Sequence, residues 1–497
     1  MGFPRRPTVV VYNKSGNGNG DAATSPQKST KTVEDTVVFP ADDDNLCVVD
    51  PLCGGTLMKA QHLGDFMKLP KYNNPMLDDE AYGAVGHFID PDDVVPQTVV
   101  HNINKPLSTN LFLRAGPRAQ VHFHPNEVKA AIVTCGGLCP GLNTVIREVV
   151  MTLWGRYGVR KILGVKNGYR GFYAENLIEL NPEVVDGIHR RGGTMLGTSR
   201  GGSVTAKIVD AIEYRGINHV YIIGGDGTQK GALAIHEEAR KRGIKLAVAG
   251  IPKTIDNDVD IIDRSFGFDT AVEEAQHAIN AAHVEATSTP LGVGLVKVMG
   301  RHAGFIAMHS TLSSRDVDLC LIPEVPFFMD GPGGVIEYIE SKLALNNHVV
   351  IVIAEGAGQE QVQVAQSHVS GTDASGNKLL ADCGLWLATD MKEKFKARGQ
   401  EICLKYIDPT YMIRAVPSNA ADNVYCTVLA QAAVHAAFAG YTGFMVGPVN
   451  GRHAIIPIDV ATQTSSSVNP QDRMWARLMA SNGQPSFAKK GGVQKKK

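Results

Sequence analysis

A carboxylate held among matched charges can move a proton to or from a substrate. The chain offers one in Pro252-Lys253-Thr254-Ile255-Asp256-Asn257-Asp258. Two carboxylates stand two residues apart beside a lysine. A carboxylate can accept the proton of an attacking hydroxyl, and a lysine can neutralise phosphate charge. A capped, solvated loop is the plainer reading of the same residues, so the other motifs must decide. Gly224-Gly225-Asp226-Gly227-Thr228 sets a further carboxylate among glycines. Placed at the end of a strand, it suits Mg²⁺ held together with phosphates.

Anion-binding groups accompany these acids. Gly136-Gly137-Leu138-Cys139-Pro140-Gly141-Leu142-Asn143 is rich in glycine. Its backbone can approach a ligand closely, and the N–H groups of a following helix attract anions. It is neither a Walker A sequence nor the dinucleotide fingerprint, and a tight strand-to-helix turn would read the same way. Gly192-Gly193-Thr194-Met195-Leu196-Gly197-Thr198-Ser199-Arg200-Gly201-Gly202 is a pliable loop with one strong phosphate ligand, Arg200. Val298-Met299-Gly300-Arg301 ends a run of apolar residues, and its arginine is expected at a helix N-terminus. Glu355 can accept hydrogen bonds from sugar hydroxyls. Arg414, in Tyr411-Met412-Ile413-Arg414, can hold a phosphate bidentately. Both also fit structural ion pairs.

These motifs need elements to position them. Ala130–Thr134, Ile162–Val165, His219–Ile223, Leu246–Gly250, Val293–Met299 and Val349–Ala354 are apolar without polar alternation. Such runs suit strands covered on both faces. Val145, Ile146, Val149, Val150 and Leu153 fall at helical spacing. So do Ala271, Val272, Ala275, Ala278, Ile279 and Ala282, with Asp269 as the expected N-cap. The helix after Thr228 closes on Arg240, Lys241 and Arg242 and then Gly243, which suits the dipole and a left-handed cap. Alternating strands and helices predict an α/β fold with mostly parallel sheets. About 330 residues of this pattern exceed one sheet, so two doubly wound domains are expected.

Composition narrows the class. The 497 residues include 20% charged and 43% hydrophobic residues, with a formal net charge of −1. That is ordinary globular usage, without the basic footprint of a nucleic-acid binder. The eight cysteines show no framework spacing and read as reduced thiols of an intracellular protein. The first 30 residues lack an apolar h-region, so no secretory leader is expected. The charge-free stretch from Asn423 to Gly451 reads as a buried helix and a strand, not a membrane span. Residues 14–34 are low-complexity and expected to be disordered. Residues 35–125 read as an irregular extension, and Lys489 to Lys497 as a basic frayed tail.

Taken in order, the stretches GGLCPGLN, GGTMLGTSRGG, GGDGT, PKTIDND, VMGR and YMIR resemble the phosphofructokinase family over roughly residues 110–460. The resemblance implies two doubly wound Rossmann-like α/β domains with the active site between them. It places residues 111–268 and 415–460 in an ATP-binding domain, 269–414 in a sugar-phosphate domain, 1–110 in an N-terminal extension and 461–497 in a C-terminal tail. It implies Mg²⁺-dependent transfer of the ATP γ-phosphoryl group to the 1-hydroxyl of fructose 6-phosphate. Asp256 then matches the general base, with Thr254 and Arg301 in the catalytic set, and Asp226 the metal carboxylate. Gly136, Arg200, Gly201, Gly224, Gly225, Asp226, Gly227, Thr228 and Lys253 match the ATP side. Thr254, Ile255, Asp256, Met299, Gly300, Arg301, Glu355, Tyr411 and Arg414 match the sugar-phosphate side. A homotetramer is what the family suggests; the sequence itself is read as cytosolic, without nucleic-acid or membrane partners, and a plastid placement stays open.

The phosphoryl donor turns on two residues. Pyrophosphate-using relatives carry an aspartate where Gly227 stands, and glycine leaves the space of the α-phosphate open. Lys253, by contrast, is usual in pyrophosphate enzymes. The pairing resembles the ATP-dependent branch of plants and trypanosomatids. GGDGT alone would also fit NAD or lipid kinases, and a catalytically silent regulatory subunit would be expected to lack Asp256 or Asp226. Gly292 and Lys405 depart from bacterial members, which have arginines there that reach the neighbouring subunit's sugar phosphate.

Overall fold

The computed structural model describes residues 48–50, 55–78, 88–104, 108–365, 371 and 379–487. The low-complexity stretch 14–34 and the basic segment Lys489–Lys497 lie outside the described residues. Two sheets organise the chain. Among the described residues the larger has eleven strands. Its centre runs Phe444–Val449, Ala247–Pro252, His219–Gly224, Lys129–Thr134 and Lys161–Val165, all parallel neighbours. The smaller sheet has four parallel strands in the order Leu319–Leu321, His348–Ala354, Gly292–Val298, Cys403–Ile407.

Continuous apolar runs explain the layering. His219–Gly224 is buried at every residue, so it must be covered on both faces. Tyr221 and Ile223 pack into one core with the helices Leu142–Met151 and Ala420–Phe438, while Val220 and Ile222 pack into the opposite core with Thr205–Arg215 and Asp226–Lys241. The smaller sheet repeats the arrangement. Val293 and Leu295 face the helices Val335–Asn346 and Cys383–Ala397; Val296 and Val298 face Phe268–Thr287 and Phe305–Ser314. No helix among the described residues is long and apolar enough to cross a membrane.

Three expectations change, and the N-terminal extension gains detail. Asp269 does not cap its helix. Phe268–Thr287 starts after Gly267, and Asp269 lies in the first turn, paired with Arg264. The capping carboxylate is Asp422, from a distant helix: it accepts Gly267 N–H at 2.9 Å, Thr270 N–H at 2.8 Å and Thr270 Oγ1–H at 2.6 Å. Arg301 sits in a loop, since the next helix begins only at Phe305 and is capped by Glu324, which accepts Gly304 N–H at 2.9 Å. The supposed tail carries the helix Arg473–Asn482, whose Trp475 and Leu478 are buried in the smaller domain's core. Within the N-terminal extension, Gly55–Leu57, Val94–Pro96 and Asn110–Arg114 join the larger sheet.

Asp422 is 1% exposed, so deleting its carboxylate strands two backbone N–H groups and a hydroxyl. Asp422→Ala should cost about 2 kcal/mol and lower the thermal midpoint by a few degrees, with Asp422→Asn losing less. Calorimetry of both variants checks this.

Candidate functional site

Parallel strands in adjacent positions send their following loops out of the same edge. Here Ile223 pairs with Thr134 and Gly224 with Pro252. The three loops beginning at Cys135, Gly225 and Lys253 therefore leave side by side. Thr198 Oγ1 donates to Gly136 O at 2.7 Å, and Gly136 N–H donates to Ser199 O at 3.0 Å. This seats the Arg200 loop beside the first glycine loop. Gly141 has φ +98°, and a Cβ there would lie 2.7 Å from Cys426 Sγ, so only glycine fits the turn into the helix.

Asp226 opens the helix Asp226–Lys241. Burial, then the nearby charge of Asp258, pushes its carboxyl pKa up. A Cβ added at Gly227 would meet nothing within 4 Å. Lys253 is 8% exposed. Its N–H donates to Gly224 O at 3.0 Å, and its Nζ lies 3.6 Å from where a Gly136 Cβ would sit. Burial lowers its pKa; Cys139, Cys135 and Asp256 oppose that shift, and Arg200 adds to it. Thr228 O accepts a hydrogen bond from Tyr169 Oη at 2.7 Å, fixing the end of the loop.

The next loop is internally braced. Thr254 Oγ1 donates to Asp258 Oδ1 at 2.5 Å and accepts Asp256 N–H at 3.3 Å. Ser265 Oγ donates to Thr254 O at 2.6 Å, and Ser265 N–H to Asn257 Oδ1 at 2.8 Å. Asp256 is pushed up to about 7, by burial first and then by Asp258 and Glu355. The backbone N–H of Arg301, 3.3 Å from Oδ2, and the Arg301 charge act the other way. Ile255 packs at the margin of both domains' cores.

The smaller sheet supplies the opposite wall. Gly300 has φ +130°, and a Cβ would strike Ala303 O at 2.5 Å. Met299 turns its side chain into the core at 4% exposure. Glu355 N–H donates to Val298 O at 2.9 Å, which brings Glu355 beside the Arg301 loop. Burial raises the Glu355 pKa, while Arg301, Lys297 and Arg414 pull it down. Arg414, in the helix Thr410–Ala415, lies 3.7 Å from the Cβ position of Gly137 and 5.1 Å from the Tyr411 ring centroid. Tyr411 itself is 79% exposed. A side chain at Gly292 would strike Ala286 O at 1.9 Å, and Lys405 pairs with Glu285 at 3.4 Å. Neither position offers an arginine's reach in this chain.

Two supports escaped the motif reading. Gln229 Nε2 donates to Gly224 O at 3.0 Å and Ile251 O at 3.2 Å, clasping two adjacent strand ends. A polar residue on the buried face of the helix was its only sequence signal. Ser466 N–H donates to Asp258 O at 2.8 Å, a contact that no local pattern announces. Among the described residues, no group of three or more His, Cys, Asp or Glu side chains could hold a metal alone. Asp226, whose proton affinity is raised by burial and by the charge of Asp258, lies beside loops suited to phosphates and fits a hard divalent cation that takes its remaining ligands from substrate and water.

Comparison with known proteins shows the family. The family described as "PFK: Phosphofructokinase" matches residues 129–437. The chain is 60% identical over 451 residues to "ATP-dependent 6-phosphofructokinase 1" of Arabidopsis thaliana, covering 90% of this chain and 95% of that one. It is 58% identical to "ATP-dependent 6-phosphofructokinase 4, chloroplastic" of the same plant, covering 90% and 83%. Among solved structures, a pyrophosphate-dependent phosphofructokinase from Nitrosospira multiformis superposes with a TM-score of 0.59 at 19% identity, covering 73% and 92%; this shows the shared fold. The fold defines an α/β protein in which loops of a larger, mixed sheet meet loops of a smaller, parallel one. The chain belongs to the phosphofructokinase family.

The raised pKa of Asp256 has a consequence for stability. The folded state binds the proton more tightly than the unfolded chain, whose value is near 3.8. Stability is therefore lost at this group as pH rises from about 4 to about 7. Asp256→Asn removes that loss, so its melting temperature relative to the parent should climb over this range and level off above it. A flat difference across pH would show that Asp256 titrates normally.

Proposed function

We propose that this chain is an ATP-dependent 6-phosphofructokinase: it transfers the γ-phosphoryl group of ATP to the 1-hydroxyl of fructose 6-phosphate, giving fructose 1,6-bisphosphate and ADP, a step of glycolysis. The observation that carries the reading is Asp256, a carboxyl pushed up to about 7, placed between Gly-rich phosphate loops and Arg301. Such a group ionises near neutral pH and matches a general base. Phosphoryl transfer depends mainly on positioning and charge neutralisation. Gly136, Gly201 and the Gly224–Thr228 loop would cradle ATP. Arg200, Lys253 and Arg301 would balance charge on the transferring group. Thr254 would hold the catalytic loop against substrate. Met299 and Gly300 would border the sugar phosphate through their backbone, Glu355 would accept sugar hydroxyls, and Tyr411 and Arg414 would face the phosphate.

Asp226 would hold Mg²⁺, with Asp258 as its neighbour. When bound, the cation screens the charge of the nucleotide phosphates. Gly227 supports ATP as the donor, because the space beside it is open. Lys253 is the one residue that favours pyrophosphate as a second reading. A homotetramer in the cytosol, with the plastid as the alternative compartment, completes the proposal.

Purified protein with Mg²⁺ and fructose 6-phosphate should form fructose 1,6-bisphosphate from ATP and not from pyrophosphate; the reverse result would make Lys253 the better guide. Gly227→Asp should lower activity with ATP on the order of 100-fold, by placing a charge against phosphate. Asp256→Ser should cut kcat by about 10²–10⁴-fold while calorimetric binding of fructose 6-phosphate persists. For the parent enzyme, kcat/KM should rise with pH through about 7, because only ionised Asp256 accepts the proton. A profile flat from pH 6 to 8 would remove Asp256 from the role of base.

A further inference from the structure

Lys297 interrupts a strand that is otherwise apolar, Gly292–Val298. Its side chain is 12% exposed, and its Nζ lies 2.8 Å from Asp408 Oδ2 and 3.1 Å from Asp382 Oδ2. Burial disfavours the ammonium, yet Asp408, Tyr406 and Asp382 together raise its pKa. The same pair holds the Asp408 carboxyl below its usual value, against the effect of burial. A lysine enclosed this far needs such partners, and removing one member of a buried pair is far more disruptive than removing an exposed one.

What Asp408 does with its other oxygen shows the purpose. Oδ1 accepts Thr410 N–H at 3.1 Å and Thr410 Oγ1–H at 2.6 Å. It thereby fixes the first turn of Thr410–Ala415, the short helix that carries Arg414. That helix buries only Ile413, so apolar packing holds it weakly. Lys297 also precedes Val298, whose carbonyl receives Glu355 N–H, and its charge acts on Glu355. One ammonium thus links the strand leading to Arg301 with the helix bearing Arg414.

We infer that Lys297 is a positioning residue for the sugar-phosphate side of the site, acting through Asp408 on Arg414. The inference rests on the function proposed above. The ion pairs of Lys297 go to Asp382 and Asp408 and not to an ATP-side loop, so its loss should separate the two substrates. Lys297→Met should raise KM for fructose 6-phosphate about tenfold or more, leave KM for ATP within about twofold, and change kcat little. Lys297→Arg should recover most of the loss, because it restores the charge. Asp408→Asn removes the same ion pair from the more exposed side and should give the same split, which covers a failure of Lys297→Met to fold. Lys394→Met breaks the surface pairs with Asp330 and Asp390, each 2.7 Å long, and should leave both KM values unchanged. Steady-state kinetics of the four variants and the parent, each with its melting temperature, decide the matter. An active parent with unchanged or equally shifted KM values in the folded variants overturns this inference alone. An inactive parent overturns the proposed function, and the inference with it.

Discussion

Asp256 stands near Asp258 and Glu355 in a cleft where burial already disfavours charge, and the rest of the structure has to hold those like charges together. The means are local and specific. Asp258 receives the Thr254 hydroxyl, Asp256 receives the Arg301 backbone N–H, and Lys253 lies beneath the first glycine loop. The two hydrogen bonds are directed contacts, which a low local dielectric makes more effective than they would be in water. Burial first, and then the charges of Asp258 and Glu355, lifts Asp256 toward neutral pH. A looser cleft would hydrate Asp256 and return it to the ordinary carboxylate range.

Two sheets are needed because neither supplies both halves of this balance. The larger contributes Asp226, Lys253 and Asp256; the smaller contributes Arg301, Glu355 and Arg414. Several contacts join the parts. Asp422, on a helix of the larger domain, caps the first long helix of the smaller one. The C-terminal segment touches Asp258 O through Ser466, then Glu324 through Val468 N–H at 2.7 Å, then Cys320 through Gln484. The segment from Ser466 to Gln484 is therefore part of the framework around the loop from Thr254 to Asp258.

Much of this could be read from residue types. Apolar runs marked the central strands to within a residue or two, because burial on both faces leaves a strong compositional trace. Glycine and acid clusters at the ends of those runs marked the loops, because a parallel sheet always presents such ends together. The failures share a physical origin. Asp269 looked like a cap because it precedes an apolar helical face, yet the carboxylate that caps arrives from Asp422, 152 residues away from Thr270. Arg301 was expected on a helix because glycine and a cation followed a strand; the loop runs on to Gly304, where Glu324 takes over the cap.

Lys297 illustrates the limit most sharply. Read locally, a lysine near the end of an apolar strand is a solvated side chain, the commonest outcome for that residue. Its partner Asp382 lies 85 residues further on, and Asp408 follows a different strand altogether. Only the topology, which lays Cys403–Ile407 beside Gly292–Val298, turns an edge charge into an enclosed one. Burial then changes its meaning: an exposed ion pair contributes little, whereas an enclosed ammonium between two acids ties together whatever those acids hold. Asp408 holds the turn that carries Arg414, so the position of that arginine follows from a strand pairing and not from any motif.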